Sequence, residues 1–234
     1  MVQETNCALL LAAGSGSRMM GKIDDKILFE LNRKAVCRYS IAAFSKTKAS
    51  SQICIVYGGA ALRRALLALT ENIENVEILW AQGGSERQES VLNGLETLPE
   101  NTAYTLIHDC ARPLVSTDSI HLVIEEVRRN GAACLAHTVI DTIKRVPSAT
   151  ATSQKKLEDL DRKLLWAMET PQAFQHAEIL RAYRQIQAQG ISITDDAGAA
   201  AHIGMEITLV PNQAPNPKIT TVADLDYVER LLSK

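Results

Sequence analysis

The stretch from Cys7 to Lys26 reads CALLLAAGSGSRMMGKIDDK and joins a short apolar run to a glycine-rich turn and basic residues. Consecutive apolar residues are typical of a strand that is covered on both faces. The turn starts at Gly14, where the lack of a Cβ lets a phosphate approach the backbone N–H groups. Arg18 and Lys22 add positive charge nearby. The stretch therefore predicts the first strand of an α/β sheet followed by a phosphate-binding loop.

Strand-like and helix-like segments alternate along the rest of the chain. Further short apolar runs begin at Gln52, Val76, Tyr104, Ala133 and Glu206. The pattern predicts helices at Val36–Phe44, Leu62–Leu69, Arg87–Leu98, Ser119–Arg129, His176–Ala188 and Val222–Leu232. Ser116 or Thr117 is the expected N-cap of the fourth helix. Because strands and helices that take turns require right-handed crossovers, we expect a single domain over residues 1–234 with a doubly wound, mostly parallel sheet.

The composition excludes several classes of function. The 234 residues are 46% hydrophobic and 22% charged, which is the profile of an ordinary globular protein, and the net charge of −2 argues against nucleic acid and anionic membranes as partners. Residues 1–6 lack the positive region of a signal peptide, and no segment approaches the ~18 apolar residues of a membrane span. The five cysteines are odd in number and lack metal-binding spacing. We therefore expect a cytoplasmic protein with reduced thiols.

The glycine turn matches two known phosphate loops only in part. The pattern GxxxxGK[ST] fails at Ile23, where a hydroxyl group would hold Mg²⁺. The dinucleotide pattern GxGxxG starts at Gly14 and Gly16 but has Met19 in its third position. The second strand ends at Tyr57 with no acidic residue to bind a ribose. Neither family of loops is therefore indicated, although the phosphate-binding chemistry is retained.

One polar segment interrupts the alternation. Residues 141–163 read DTIKRVPSATATSQKKLEDLDRK, with basic residues on both sides of Pro147. The composition favours a solvated loop or hairpin. Excursions of this length from a compact domain are also often functional or interfacial. Both readings stay open on the residues alone.

Seven motifs in succession carry a resemblance to a known family. They are LAAGSGSRM from Leu11, GGSERQESV from Gly83, HDCARP from His108, DTIKRV from Asp141, DRKLLWAMETPQAF from Asp161, ITDDAGAA from Ile193 and NPKITTVADL from Asn216. In this order they resemble the 2-C-methyl-D-erythritol 4-phosphate cytidylyltransferases of the non-mevalonate isoprenoid pathway, which have a Rossmann-like, glycosyltransferase-A-like fold. The resemblance implies transfer of CMP from CTP to methylerythritol phosphate, release of pyrophosphate, and Mg²⁺ as the cofactor. It also implies a homodimer in which residues 139–165 form an extended β-arm.

The resemblance implies a role for each matching residue. The residues that would bind the nucleotide are Ala12, Ala13, Gly14, Gly84, Ser90 and Asp109. The residues that would act in catalysis are Arg18, Lys26 and Lys218. The residues that would bind the acceptor are Asp109, Arg112, Thr142, Arg162, Thr194 and Lys218, with Thr142 and Arg162 reaching the partner subunit's site. The CTP phosphates would supply most of the Mg²⁺ ligands, and Asp109 is the candidate protein ligand.

Several of these positions also have a structural reading. Thr194 precedes two aspartates and is a candidate N-cap. Arg87 is expected to pair with a glutamate of its own helix, Glu86 or Glu89. His108 is expected to be a strand histidine satisfied by the backbone, because an attacking phosphate is already anionic and needs no base.

The chain departs from the family at a few positions and leaves rival functions open. Asp25 stands before Lys26, where the family often has proline, and Cys110 replaces an alanine; its apolar, acidic surroundings predict an inert thiol. A ribitol 5-phosphate cytidylyltransferase shares the fold and the CTP chemistry, although DTIK and DDAGAA favour methylerythritol phosphate. A sugar-1-phosphate nucleotidylyltransferase is less favoured. A catalytically silent nucleotide-binding protein is the alternative of another class.

Overall fold

A computed structural model describes residues 5–14, 25–47, 50–147 and 156–233. The strands are β1 (Thr5–Leu11), β2 (Glu30–Leu31), β3 (Lys34–Ala35), β4 (Gln52–Tyr57), β5 (Glu77–Gln82), β6 (Thr102–Asp109), β7 (Ala132–Thr138), β8 (Lys144–Arg145), β9 (Glu158–Asp159), β10 (Trp166–Gln175) and β11 (Thr208–Pro211). The helices are α1 (Val36–Thr47), α2 (Ala60–Thr70), α3 (Arg87–Thr97), α4 (Thr117–Asn130), α5 (His176–Gln189), α6 (Asp196–His202) and α7 (Val222–Leu232). All six predicted helices are present, with small shifts at their ends.

The central sheet has seven strands in the order β11-β7-β10-β6-β1-β4-β5. Strand β10 runs antiparallel to both of its neighbours, and the remaining pairs are parallel. The order reverses at β1, because the chain leaves β1 for β4 on one side and later returns to β6 on the other. Open α/β sheets bind their ligands at such a switch point, beyond the carboxyl ends of the strands. The predicted α/β class and mostly parallel sheet are confirmed.

Strand β1 shows why a fully apolar run marks a central strand. Ala8 and Leu10 pack into a cluster with residues of α1, α2 and α4, whereas Cys7 and Leu9 pack into a second cluster with residues of α3 and α5. Successive side chains of a strand point to opposite faces, so a strand with helices on both sides buries every residue.

Strand β10 was not predicted from the sequence. It contains Glu169 and Pro171, and proline cannot donate a hydrogen bond to a ladder, so the segment lacks the apolar pattern of its neighbours. Its pairing with β7 shifts register between Met168 and Gln172, which is where the proline lies. The structure accommodates the proline by breaking the ladder at that point. The β2–β3 hairpin was also absent from the prediction, and the short helix α6 was indicated only by the N-cap candidate at Thr194.

Two helix starts test the predicted caps. Ser116 is the N-cap of α4, and its hydroxyl accepts a hydrogen bond from the backbone N–H of Ser119 at 3.0 Å, as predicted. The prediction of Thr194 as an N-cap is wrong by one position. Asp195 is the N-cap of α6, and its carboxylate accepts the N–H of Gly198 at 2.9 Å. Aspartate is one of the preferred N-cap residues, and its negative charge also favours a helix N-terminus.

The polar segment forms a small hairpin, of which residues 139–147 and 156–165 are described. Strands β8 and β9 pair antiparallel in a sheet of their own. Arg145 pairs with Glu158 at 3.2 Å, and Lys144 pairs with Asp159. Apolar side chains lie in solvent in this hairpin, with Ile140 81% exposed.

Candidate functional site

A cleft of about 760 Å³ lies beyond the carboxyl ends of β1, β4, β5 and β6. Of the site residues that the resemblance implies, those that line it are Ala13, Gly14, Lys26, Gly84, Ser90, Asp109 and Lys218. They come from five separate parts of the chain, and the fold brings them together at the switch point of the sheet.

The end of β1 forms one wall of the cleft and lies close to the loop after β5. Ala13 and Gly14 line the cleft, while Ala12 is fully buried and its N–H donates to the carbonyl of Val56 at 2.9 Å. A Cβ at Gly83 would lie only 2.6 Å from the Cβ of Ala13. Glycine at position 83 therefore lets the loop after β5 close over the end of β1, which gives a wall suited to a flat ring and a phosphate chain.

The loop after β5 is fastened to the first turn of α3. The hydroxyl of Ser90 accepts the N–H of Gly84 at 3.0 Å, and a carboxylate oxygen of Glu89 accepts the N–H and the hydroxyl of Ser85 at 2.8 Å each. Ser90 is 5% exposed, whereas Gly84 is exposed at the cleft. Ser90 thus fixes the loop backbone as well as facing the cleft.

A cluster of alternating charges forms the floor of the cleft. Lys218 Nζ lies 2.6 Å from Asp109 Oδ2, and Arg87 Nε lies 3.4 Å from Asp109 Oδ1. Arg87 also donates hydrogen bonds from both terminal nitrogens to the two carboxylate oxygens of Asp196, at 2.9 and 2.8 Å. The hydroxyl of Tyr183 donates to the same carboxylate at 2.5 Å. Such a two-pronged contact fixes a guanidinium in position as well as in charge.

Two members of this cluster, Asp109 and Arg87, are held in their charged forms by their neighbours. Burial by itself would raise the pKa of Asp109, but the nearby charges of Arg87 and Lys218 outweigh it and hold that pKa well below its ordinary value. Burial would lower the pKa of Arg87, and the carboxylate of Asp196 outweighs it and raises that pKa. Asp109 and Arg87 are therefore both charged at physiological pH.

The sequence analysis missed the role of Arg87, and its predicted pairing with Glu86 or Glu89 is wrong. Both glutamates are exposed on the surface, while Asp196 is fully buried. A buried carboxylate needs a cation much more than an exposed one does, because it has lost its solvation by water. The only signal in the sequence was the acidic pair in ITDDAGAA, which does not name its partner.

Lys26 also lines the cleft. Its side chain is largely buried, and Nζ donates to the carbonyl of Ile219 at 3.2 Å. The neighbouring Asp25 uses one carboxylate oxygen to accept the N–H of Ile27 at 2.9 Å, so it stabilises the turn. Arg18 lies outside the described residues.

Arg112 lies beside the cleft rather than in its lining. Its Nη1 donates to the backbone carbonyl of Asn216 at 2.7 Å. Within the described part of the chain, Arg112 Nε and Asn216 Oδ1 are buried with no hydrogen-bond partner. Unpaired buried groups are rare in folded proteins, and at a binding site they are satisfied by a ligand or by ordered water.

Three residues implied for the acceptor site lie away from the cleft lining. Thr142 and Arg162 are exposed near the base of the hairpin, where Arg162 Nη1 donates to the carbonyl of Ile140 at 2.6 Å. Thr194 is exposed next to the N-terminus of α6. Within one chain, these side chains do not take part in the charged cluster.

His108 and Cys110 are buried on either side of Asp109. His108 Nδ1 lies 2.9 Å from Thr170 Oγ1, and Nε2 lies 3.3 Å from the carbonyl of Arg112 and from Ser40 Oγ. Burial lowers the pKa of His108 to about 4, so its ring is neutral at pH 7. Burial raises the pKa of the Cys110 thiol well above its ordinary value, so the thiol is protonated and inert.

Asp109 suits a metal ion only as a single protein ligand. Within residues 5–14, 25–47, 50–147 and 156–233, no three histidine, cysteine, aspartate or glutamate side chains converge on a common point. Mg²⁺ often binds through one carboxylate and keeps phosphate and water as its other ligands. The donor set therefore fits an ion that arrives with a polyphosphate.

Among the described helices, none has the length and apolar character that crossing a bilayer requires.

Known proteins resemble this chain over nearly its whole length. Residues 6–234 match the family model described as 2-C-methyl-D-erythritol 4-phosphate cytidylyltransferase. The enzyme of that name from Synechococcus sp. (strain CC9902) is 35% identical over 225 residues, which cover 96% of this chain and 97% of that one. The one from Halalkalibacterium halodurans is 35% identical over 224 residues, with 95% of each chain covered.

Solved structures agree with these matches. The crystal structure of 2-C-methyl-D-erythritol 4-phosphate cytidylyltransferase from Thermus thermophilus superimposes with a TM-score of 0.75 at 26% identity and covers 97% of this chain and 98% of that one. The structure of 4-diphosphocytidyl-2C-methyl-D-erythritol synthase from Anaerococcus prevotii gives a TM-score of 0.85 at 23% identity, with 99% of each chain covered. The latter likeness concerns the fold.

Proposed function

The chain belongs to the 2-C-methyl-D-erythritol 4-phosphate cytidylyltransferase family, and we propose that it transfers CMP from CTP to 2-C-methyl-D-erythritol 4-phosphate with release of pyrophosphate. The products are 4-diphosphocytidyl-2-C-methyl-D-erythritol and pyrophosphate, in the non-mevalonate route to isoprenoids. The observation that carries the proposal is the cleft at the switch point of the sheet, where Arg87 and Lys218 hold one carboxylate and Lys26 adds a further cation.

In this proposal the nucleotide lies along the end of β1. Ala13 and Gly14 offer backbone groups to the ribose and the phosphates, while Ala12 lies buried behind them and holds the end of the strand through Val56. The loop that contains Gly84 contacts the cytosine. Ser90 holds that loop in place and faces the base. A pyrimidine with one carbonyl and one amino group suits a wall made of backbone N–H groups, carbonyls and a hydroxyl.

The chemistry is an in-line displacement at the α-phosphorus of CTP. The acceptor's phosphate oxygen forms the new P–O bond, the bond to the bridging oxygen of the pyrophosphate breaks, and the electron pair leaves with pyrophosphate. Lys26 and Lys218, together with Arg18, stabilise the charge on the crowded phosphorus centre. The attacking oxygen is already anionic, so no side chain has to remove a proton. A bound Mg²⁺ would be held by the triphosphate beside Asp109 and would neutralise phosphate charge.

The acceptor side of the site extends over Asp109, Arg112, Thr194 and Lys218. We also propose a homodimer in which the 139–165 arm, by way of Thr142 and Arg162, contributes to the site of the partner. The exposed apolar side chains of the hairpin support such an interface. A cytoplasmic location is supported by the five free, buried cysteines.

The experiment is a pyrophosphate-release assay with purified protein, Mg²⁺ and each of CTP, UTP and ATP. The acceptors are 2-C-methyl-D-erythritol 4-phosphate and ribitol 5-phosphate in separate reactions. We expect release with CTP and the first acceptor. Release with ribitol 5-phosphate alone would make the pentitol phosphate the substrate, and CTP binding without any release would leave a nucleotide-binding protein.

Lys26→Ala and Arg18→Ala test the assignment of transition-state contacts. If these contacts strengthen as the phosphorus centre becomes crowded, kcat falls by about 10²-fold or more while the Kd of CTP changes little. A loss confined to CTP affinity would contradict the catalytic role. The Kd is measured by calorimetry in the absence of acceptor.

A further inference from the structure

A second polar cluster lies beside the cleft, and its centre is the carboxylate of Glu169. This side chain is 5% exposed and does not line the cleft. Its Oε2 accepts hydrogen bonds from Asn212 Nδ2 and Asn216 Nδ2 at 2.8 Å each, and its Oε1 lies 2.6 Å from His137 Nδ1. A buried carboxylate is costly unless its oxygens are bonded, and three donors converge on this one. The hydrogen bonds of this cluster therefore hold the Glu169 carboxylate in a defined position.

The irregular part of β10 aims this carboxylate. Glu169 and Thr170 lie between Met168 and Gln172, where the pairing with β7 shifts register. Irregularities of this kind commonly redirect a side chain next to an active site. Asn216 Nδ2 donates both to the Glu169 carboxylate and to the carbonyl of Thr170 at 3.0 Å. The amide of Asn216 is thus fixed by two successive residues of β10.

Three of the site's cations depend on the short segment 216–219 that Asn216 begins. The carbonyl of Asn216 accepts from Arg112, and the carbonyl of Ile219 accepts from Lys26. Lys218 lies between them and reaches the floor of the cleft. A shift of this segment would therefore move one cation directly and remove a hydrogen-bond partner from two others.

We propose that Glu169 is a positioning residue that holds segment 216–219 through Asn216 and so places Arg112 and Lys218 for the acceptor phosphate. The proposal rests on the proposed function, since it concerns the acceptor side of the same site. Glu169 touches no substrate. It acts through Asn216, and the nucleotide wall formed by β1 and the loop after β5 does not depend on it.

The variants Glu169→Gln and Glu169→Asp separate positioning from packing. Glutamine has the same size, but it presents an NH₂ group to a cluster of donors and has no charge. Aspartate keeps the charge and both acceptor oxygens and is shorter by one methylene group. Positioning predicts that kcat/KM for the acceptor falls in the order wild type, E169D, E169Q, with E169Q lower by about tenfold or more. A purely packing role predicts the opposite order of the two variants.

The matched control is His137→Ala. The side chain of His137 is about half exposed and bonds Oε1 of Glu169, whereas Asn216 bonds Oε2, so the variant leaves the bond to Asn216 in place. We expect H137A to keep kcat/KM within about twofold of wild type, since water replaces the imidazole at that oxygen. The Kd of CTP, measured by calorimetry without acceptor, should stay within about twofold in all three variants, because the nucleotide wall is untouched.

Amide hydrogen exchange gives a readout that does not require turnover. The N–H of Ile219 donates to the carbonyl of Ala111 at 2.8 Å, so its exchange reports how firmly the segment is held. We expect E169Q to speed this exchange by about tenfold or more and H137A to leave it nearly unchanged. If the wild-type protein releases no pyrophosphate, the proposed function fails while this exchange still tests the positioning.

The proposal is overturned if E169Q keeps wild-type kcat/KM, if it exceeds E169D, or if Ile219 exchange is unaltered. Should E169Q fail to fold, E169D decides by the same two measurements. Positioning then requires a reduced kcat/KM together with faster Ile219 exchange, and wild-type values of both would overturn it.

Discussion

The variant Arg87→Met removes a cation from a carboxylate that has no access to water. Arg87 makes two charged hydrogen bonds, at 2.8 and 2.9 Å, to the fully buried Asp196. Removing one partner of a buried ion pair costs about 3–5 kcal/mol, because the other charge stays buried without its partner. The side chain of Arg87 is 31% exposed and Tyr183 still donates to Asp196, so we expect the lower end, about 3 kcal/mol. For a chain of this length that loss lowers Tm by about 6–12 °C.

Urea unfolding at pH 7 gives the free energy of unfolding of R87M, which is compared with that of a surface control, Arg184→Met. Arg184 pairs with Glu96 at 3.1 Å, but both side chains are about half exposed, so R184M should cost less than about 1 kcal/mol. The double variant that combines R87M with Asp196→Asn has no buried charge left. It should therefore lose about 2 kcal/mol less unfolding free energy than the two single variants lose in sum. If R87M costs no more than R184M, or if the double variant is additive, the reasoning about a buried pair is refuted.

Three further results are expected. Because burial lowers the pKa of His108 to about 4, the folded state takes up its proton less readily than the unfolded state, and stability is lost as the pH falls from about 6.5 to about 4. The stability of wild type relative to His108→Gln should therefore drop by roughly 3 kcal/mol between pH 7 and pH 4 in urea titrations, and a constant difference would contradict the buried neutral ring. Cys110→Ala should keep most of the pyrophosphate-release rate, because a protonated buried thiol takes no part in a direct displacement; near-total loss would argue for a covalent intermediate. Gly94→Ala should cost about 1–3 kcal/mol in thermal or urea unfolding, because the new methyl group would lie 2.4 Å from Leu9 Cδ1, whereas Gly59→Ala, with nothing within 4 Å, should be close to neutral and thereby tests whether the clash is the cause.

Elements whose signals are local were predictable from the sequence. The apolar run of β1, the amphipathic helices and the Ser116 cap each depend on residues within one or two turns of one another. Strand β10 was missed because Glu169 and Pro171 break its pattern, and its place in the sheet is decided by β6 and β7, which pair with it from far along the chain. In such a strand, pairing with distant strands outweighs the intrinsic strand propensity of its residues.

In the candidate site, too, some features could be predicted from the sequence and others depend on the tertiary structure. Its residues were indicated motif by motif through the resemblance to a known family, whereas the glycine turn and the basic residues after it pointed by their own chemistry to phosphate binding. The contacts that hold it, between Arg87 and Asp196 and between Glu169 and Asn216, join residues far apart in sequence and compete against nearer partners of the right charge. Burial decides that competition, because a carboxylate that has lost its water binds the donors that the fold places beside it, and burial exists only once the sheet and its helices have assembled.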